Sequence, residues 1–597
     1  MAEALPPDIG RAAAIEKIGN WLSGALGAVA LNASEIAARH QSAETQGWRI
    51  MFSTAGRQIA IELLIDDRFP FSVPEIFWVD APPFPSIPHV EPNGLVCIIP
   101  TSASINPLEP VKVVATILSG VEDIVAKGLR GENLEDFRTE FRSYWNEVAK
   151  GRDITSIVDP CEPSRMVRVW IGKKTIVIAE NRASLRHWLK NAYGKNRVAD
   201  IVLNRAPLIW LPRPLLPTEY PKCEADVARI VANAGPDAVQ VYESSISDEA
   251  ETTLVLFGAD SGEGGICFGA VALSRKASSF AGLNRRVKGF RDAVPQRLLR
   301  LSRRNDSIAL SPVSRADAWW VHGRDTQDEL ETLLGATIVL VGCGSLGSPL
   351  ARLLAQAGVG RLILIDPEVM NYANAGRHAL GADAVHHHKA AALAGRLARE
   401  FPHLCIEART ESWQKVNEQE VGLLVECDLL VSTIGDWEAE CELNLFLLAT
   451  PKVPPLVVSW AEPQAVAGHA LVIGPGSGCL ACGLSPFGAP LFRVANFEGE
   501  TLRREPACGA FFQPYGAGDI SVVAALVARV AIDALYGVAS PGEHRVIAMP
   551  ANDISTAGAT LSDEWFAQSG GQAEAGNQLV RRWEIRHDCP FCRGKGF

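Results

Sequence analysis

Two cysteine pairs, Cys479-Leu-Ala-Cys482 and Cys589-Pro-Phe-Cys592, have the spacing of metal knuckles. Four thiolates satisfy one tetrahedral zinc ion, and the long gap between the pairs makes the metal a tie from the C-terminal tail to its domain. Free thiols or redox pairs are the other reading. A second stretch, Gly342-Cys-Gly344-Ser-Leu-Gly347, follows an apolar run and opens a helical one. Its glycines allow a tight turn and close approach of backbone to phosphate, and the helix start presents free N–H groups to an anion. The next apolar run ends in Asp366, placed to hydrogen-bond a ribose. This constellation says nucleotide and leaves NAD and ATP both open.

Other candidates stand alone. Cys97 follows the turn signal Asn93-Gly94 and lies in a run of apolar residues. Cys508 sits among Gly, Pro and Ala in TLRREPACGAFFQPYGAGD, and the preceding Arg503 and Arg504 favour its thiolate. Cys343 lies inside the glycine loop and reads as packed; Cys405, Cys427 and Cys441 read as core, and Cys161, Cys223 and Cys267 as structural. His386-His-His388 lacks a partner set and reads as a solvated helix start.

The elements that must hold these groups fall into three parts of a 597-residue chain, taken as 1–155, 156–310 and 311–597. The first opens with a helical stretch, Ala12–Ala38, passes through strand-like runs such as RQIAIELLID and a Pro-rich segment, and closes with helices near Val111–Lys127 and Leu134–Lys150. The second alternates strand-like runs (MVRVWIG, KTIVIAE, AVQVYES, TTLVLFG, GICFGAVAL) with helical pieces and reads as α/β or α+β. Its basic run 283–304 reads as a solvated helix face. The third alternates strand and helix in a βαβ pattern, which predicts a mostly parallel sheet, with a mobile loop at 571–578.

With 47% apolar residues each part can bury a core. The net charge of −11 argues against a general nucleic-acid or anionic-membrane binder. No basic-then-apolar leader and no uninterrupted apolar span is evident, so the 13 cysteines point to a reducing cytoplasm and to metal or nucleophile roles.

The residues after Asp366 choose between the cofactors. Asp366-Pro-Glu368-Val-Met-Asn-Tyr-Ala-Asn374-Ala-Gly-Arg377-His resembles a segment of the ThiF/MoeB superfamily, which includes the ubiquitin-activating enzymes. The resemblance spans roughly 315–597. It implies a Rossmann-like adenylation domain that binds ATP and Mg2+ through Gly342, Gly344, Gly347, Asp366, Asn374, Arg377, Lys389 and Asp436, with Arg324 reaching a partner subunit's site in a homodimer. It also implies a structural zinc on the two knuckles, and Cys508 as the thiol that takes an acyl group from an adenylate. Trp437 and Glu440 depart from the family's usual asparagine and arginine.

The first part resembles the ubiquitin-conjugating enzymes through Phe69-Pro70-Phe71-Ser-Val-Pro74-Glu-Ile76 and Ile87-Pro88-His89-Val90-Glu-Pro-Asn93-Gly94-Leu-Val-Cys97. That implies an α+β fold with Cys97 as the conjugating thiol. His89 replaces the family's asparagine, as hydrogen-bond donor or as base. Together the two ends resemble the fused activating–conjugating enzymes of bacterial CBASS antiphage operons. The resemblance implies ATP-dependent activation of the C-terminus of a cGAS/DncV-like nucleotidyltransferase, thioester relay from Cys508 to Cys97, and conjugation to a target amine. The alternatives are the same chemistry on a bacterial ubiquitin-like protein, sulfur-carrier adenylation, and, from another class, a non-catalytic Rossmann scaffold or NAD-dependent dehydrogenase.

Overall fold

The computed structural model of the chain describes residues 10–37, 46–98, 105–194, 202–245, 252–274, 307–323, 327–504, 511–569 and 578–597. Arg324, Cys508, the basic run 283–304 and positions 571–577 of the expected mobile loop lie outside the described residues.

The first sheet is an antiparallel meander of β1 (Val29–Ala30), β2 (Gln46–Thr54), β3 (Arg57–Ile65) and β4 (Glu75–Trp78), in that order. Helix Pro110–Arg130 packs its apolar stripe, Val114, Ile117, Val121 and Val125, into the same core as Ile18, Leu22, Trp48 and Leu63. The helix expected over Ala12–Ala38 ends at Leu26, because Gly27 takes a left-handed φ of 63° as its cap. A short helix, Ala33–Ala37, follows.

The second sheet is mixed, with eight strands among the described residues. These are β5 (Ile154–Ser156), β6 (Arg165–Ile171), β7 (Ile176–Ala179), β8 (Asn204–Trp210), β9 (Thr252–Asp260), β10 (Ile266–Ser274), β11 (Ser307–Ser311) and β12 (Val313–Arg315). The strand expected at AVQVYES is instead part of a helix, Pro236–Ser245. Pro236 opens it, and Ala238 and Tyr242, four apart, are its buried residues. The alternating Val239 and Val241 imitate a strand period by chance.

The third sheet holds β13 (Thr337–Val341), β14 (Arg361–Ile365), β15 (Cys405–Arg409), β16 (Leu429–Ser432), β17 (Leu456–Ala461), β18 (Ala467–Ile473), β19 (Glu543–Ala548) and β20 (Gln578–Arg582). Their order across it is β15-β14-β13-β16-β17-β18-β19-β20. The first five are parallel and the last three antiparallel, so the sheet is parallel where the nucleotide motif lies. Strands β13 and β16 are buried at nearly every residue, as a sheet covered on both faces requires. Helices Gly347–Ala357, Lys389–Glu400 and Ala517–Leu535 join one core on it.

Candidate active sites

The chain leaves β13 toward β14 and β15 on one side, then returns to β16 on the other. That reversal opens a crevice at the carboxyl ends of β13 and β16, the ligand position of open α/β sheets. Gly342 turns there with φ 94°. A Cβ on it would meet the Thr433 carbonyl at 2.8 Å, and one on Gly347 would meet the Gly342 carbonyl at 2.0 Å. Packing therefore demands both glycines. A Cβ on Gly344 would meet nothing within 4 Å, so the protein's own packing makes no such demand. The open space over Gly344 lies at the start of helix Gly347–Ala357, where an anion is favoured.

Asp366 is buried and accepts from the N–H groups of Cys343 and Glu368, each at 2.7 Å. It braces the glycine loop. Burial raises its pKa, and those two N–H groups oppose the rise. Lys389 opens its helix, is almost fully buried, and pairs with the exposed carboxylate of Glu368. Asn374 trades hydrogen bonds with Asn371 at 3.1 Å in a capped turn, which commits its carbonyl and leaves its amide to other partners. Arg377 donates to the Gln513 carbonyl at 3.3 Å and lies 4.9 Å over the Tyr515 ring. Tyr515 and Ser345 share a 2.6 Å hydroxyl contact. His378 reaches the Cys343 carbonyl at 2.7 Å and accepts from Leu380 N–H on its other nitrogen. The arginine segment, the glycine loop and the chain just after residue 510 are thus laced together.

Asp436 follows β16 and caps helix Trp437–Ala449, accepting from Ala439 N–H at 2.9 Å through one oxygen. The residues that depart from the family pattern have structural work. Trp437 packs against Gly488, where a Cβ would sit 2.5 Å from its ring. Glu440 folds back toward Gly435 N–H at 3.3 Å, and burial pushes its carboxyl up to about 7. The triple histidine is exposed, as its solvated reading requires, and Cys343 and Cys427 are buried. Cys405 and Cys441 are only half-buried, while Cys161 and Cys223 are exposed.

The four knuckle cysteines converge. All four sulfurs lie within 4.8 Å of one another and are buried. Cys479 is 3.8 Å from Cys482 and 3.7 Å from Cys589, and Cys482 is 3.5 Å from Cys592. A tetrahedral zinc with bonds of about 2.3 Å sets its sulfurs about 3.8 Å apart, so the donor set fits. Hydrogen bonds close the same tie: Phe597 donates to Ser477 at 2.8 Å, and the Trp583 indole to Cys479 at 3.0 Å.

Cys97 is exposed on a small hairpin of the first unit. Val90 bridges Val96, Cys97 N–H donates to the His89 carbonyl at 2.8 Å, and Gly94 makes the turn at φ 87°. His89 holds φ 62°, and the Tyr144 hydroxyl fixes its N–H at 2.7 Å. Its ring stands between carboxylates, with Asp136 at 3.1 Å from Nε2 and Glu140 at 3.5 Å from Nδ1.

Residues 318–556 match the ThiF family, and residues 22–152 match prokaryotic E2 family B. The ATP-dependent ubiquitin transferase-like protein Cap2 of Pseudomonas aeruginosa is 24% identical over 513 residues, covering 83% of this chain and 89% of Cap2. The chain is a fused activating and conjugating enzyme of the ubiquitin-transferase-like kind. The ubiquitin-like modifier-activating enzyme 5 of Drosophila grimshawi is 28% identical to the enzyme over 193 residues, 30% of this chain and 47% of that relative. The enzyme therefore spans about half the length of that relative. Among solved structures, E. coli MccB with MccA-N7isoASN has a TM-score of 0.33 at 17% identity, covering 46% of this chain and 71% of MccB.

Sequence spacing did not point to Tyr515 or Thr433, and it gave no role to Ser345 within the glycine loop or to His378 at the end of the resembling segment. The contacts of Tyr515, Ser345 and Thr433 span long stretches of chain. The nearest signal was that Tyr515 shares a glycine-rich segment with Cys508.

Proposed function

We propose that the enzyme adenylates the C-terminus of a protein of the cGAS/DncV-like nucleotidyltransferase class, loads it on Cys508, passes it to Cys97 and joins it to a target amine. The observation that carries this is the pairing, in one chain, of a crevice with open space at Gly344 and an exposed thiol at Cys97. A carboxylate is a poor acyl donor until attack on the α-phosphate of ATP expels pyrophosphate. The glycine-loop backbone and the start of helix Gly347–Ala357 hold the phosphates. Arg377 and Lys389 offset the charge that gathers when two anions meet. Asp366 fixes the loop against the ribose, and the Asn374 amide orients phosphate. Asp436 would hold Mg2+, which would supply further charge neutralisation. The thiolate of Cys508 then displaces AMP, Cys97 displaces Cys508, and the amine displaces Cys97.

Three working units, taken at 1–155, 156–310 and 311–597 with the strands at both seams, β5 and β12, pairing into the middle sheet, divide these tasks; the middle one holds the ends and helps to bind the protein substrate. Zinc on Cys479, Cys482, Cys589 and Cys592 is structural. A homodimer through the activating unit places Arg324 in its partner's crevice.

The test is a non-reducing gel of enzyme, Mg-ATP and the candidate nucleotidyltransferase. A thiol-sensitive adduct is expected. Cys508→Ala removes it and Cys97→Ala stops it on Cys508. An adduct with a ubiquitin-like protein alone keeps the mechanism and changes the substrate. ATP binding without any adduct overturns the conjugation reading.

A further inference from the structure

Three side chains share one face of the hairpin that carries Cys97. The bridge between Val90 and Val96 sets the register, so His89 stands opposite Cys97 and Glu91 stands diagonal to it. Glu91 is held in place from its own backbone, donating to the Leu95 carbonyl at 2.8 Å and accepting from Gly94 N–H at 2.9 Å. Its Oε1 lies 3.3 Å from the Cys97 sulfur and takes the thiol's hydrogen bond.

His89, the residue that replaces the family's asparagine, is already engaged. Asp136 lies 3.1 Å from its Nε2 and Glu140 3.5 Å from its Nδ1, so both ring nitrogens already face other carboxylates. Glu140 in turn accepts from the Tyr144 hydroxyl at 3.2 Å. That leaves Glu91 as the proton acceptor in contact with the sulfur.

We propose that Glu91 is a catalytic residue, the general base that takes the Cys97 proton as the thiol accepts an acyl group; this rests on the conjugating role proposed for Cys97. The Cys97 S–H bond breaks and its proton goes to Glu91. The sulfur's electron pair forms a new C–S bond at the donor thioester carbonyl. The tetrahedral intermediate collapses, the donor C–S bond breaks, and the departing thiolate takes the proton back from Glu91. No oxidant or further reactant is needed. The thiol needs such help: the chain that half-covers its sulfur, then the hydrogen bond and charge of Glu91 and the charge of Glu140, push it up to about 12.

The experiment uses the full chain and glycylglycine benzyl thioester, a probe that requires neither ATP nor Cys508. Acylation of Cys97 is followed by peptide mass spectrometry from pH 6 to 9, beside alkylation of the same residue by iodoacetamide. With Glu91 as base, wild-type acylation is nearly flat between pH 6 and 8. In Glu91→Gln it falls at least ~10-fold at pH 7 and rises with hydroxide. Alkylation moves the other way, because removing the carboxylate's charge and hydrogen bond leaves more thiolate. A merely structural role would slow both reactions together. Wild-type rate and pH slope in Glu91→Gln overturn the proposal, as does acylation that rises with hydroxide in both proteins. The relay reading is judged separately. If the probe reacts as described but no ATP-driven adduct reaches Cys97, Glu91 stands as the base and the relay fails.

Discussion

Asp436 has two tasks that substitution can separate. One oxygen caps a helix, and the other is the proposed Mg2+ ligand. Asn caps as well as Asp but carries no charge, whereas Ala does neither. Asp436→Asn is expected to keep the wild-type Tm and to lose at least ~10-fold in ATP–pyrophosphate exchange. Asp436→Ala loses the same activity and about 1 kcal/mol of stability besides. Glu440 gives a pH signature. Its carboxyl titrates near 7 when folded, well above its value in the unfolded chain. The unfolded chain gives up that proton first as pH rises, so stability falls between about pH 4.5 and 7 and is level above. Glu440→Gln removes the effect. Its Tm is expected to match wild type at pH 5 and to exceed it at pH 8, by a free energy on the order of 3 kcal/mol at most, read by thermal melts across that range. At this scale the sequence was legible where chemistry is local. The glycine loop and the knuckles are spaced along a few residues. Glu91 was not legible, because only the hairpin register brings it to the sulfur.

The glycine loop shows why one motif contains two kinds of glycine. Gly347 is fixed by packing, since a Cβ there would collide with the Gly342 carbonyl. Gly344 has free space around the position of a Cβ. Gly347→Ala is therefore expected to lower Tm by several degrees along with activity. Gly344→Ala is expected to melt with wild type and to weaken ATP binding, which calorimetry with ATP would read. Equal Tm losses in both would show that the loop is only a packed turn. Elements of this kind could be read from the sequence because strand, glycine turn and helix follow one another without interruption. The helix at Pro236–Ser245 could not, because its two valines alternate and only the fold decides which face is buried. The helix near Leu134–Lys150 came out as two short pieces, Asp136–Thr139 and Phe141–Val148. The break matters, since it lets the second piece turn its faces to different units.

That second piece couples the whole molecule. Tyr144 on one side fixes the backbone of His89 beside the thiol. On the other side Trp145 is fully buried in the middle sheet's core, donating to the Ser311 carbonyl at 2.9 Å, stacking on Phe141 and meeting Tyr220 edge to face. A Cβ on Gly269 of β10 would lie 2.8 Å from its ring, so strand and helix fit closely. The middle unit in turn grips the activating unit. His187 meets the Leu404 carbonyl at 2.9 Å and Asn191 donates to the Pro402 carbonyl at 3.2 Å, both just before β15. A continuous packed path thus runs from the nucleotide sheet to the Cys97 hairpin, as the holding role proposed for the middle unit requires. Loosening that joint should harm transfer more than either chemistry alone. Trp145→Leu is expected to cost about 2–4 kcal/mol, with Trp145→Phe as the milder variant should the first fail to fold. In the variant that folds, ATP–pyrophosphate exchange and acylation of Cys97 by the benzyl thioester should stay within about threefold of wild type. ATP-driven arrival of the acyl group at Cys97 should fall at least ~10-fold, because orientation between thiols is what is lost. If all three rates fall together, the tryptophan only stabilises. If none falls, the donor thiol reaches Cys97 by a route that does not depend on the middle unit, as transfer between the two chains of a dimer would allow. Mixing Cys97→Ala and Cys508→Ala chains then decides, since only transfer between chains can load Cys97 in that mixture.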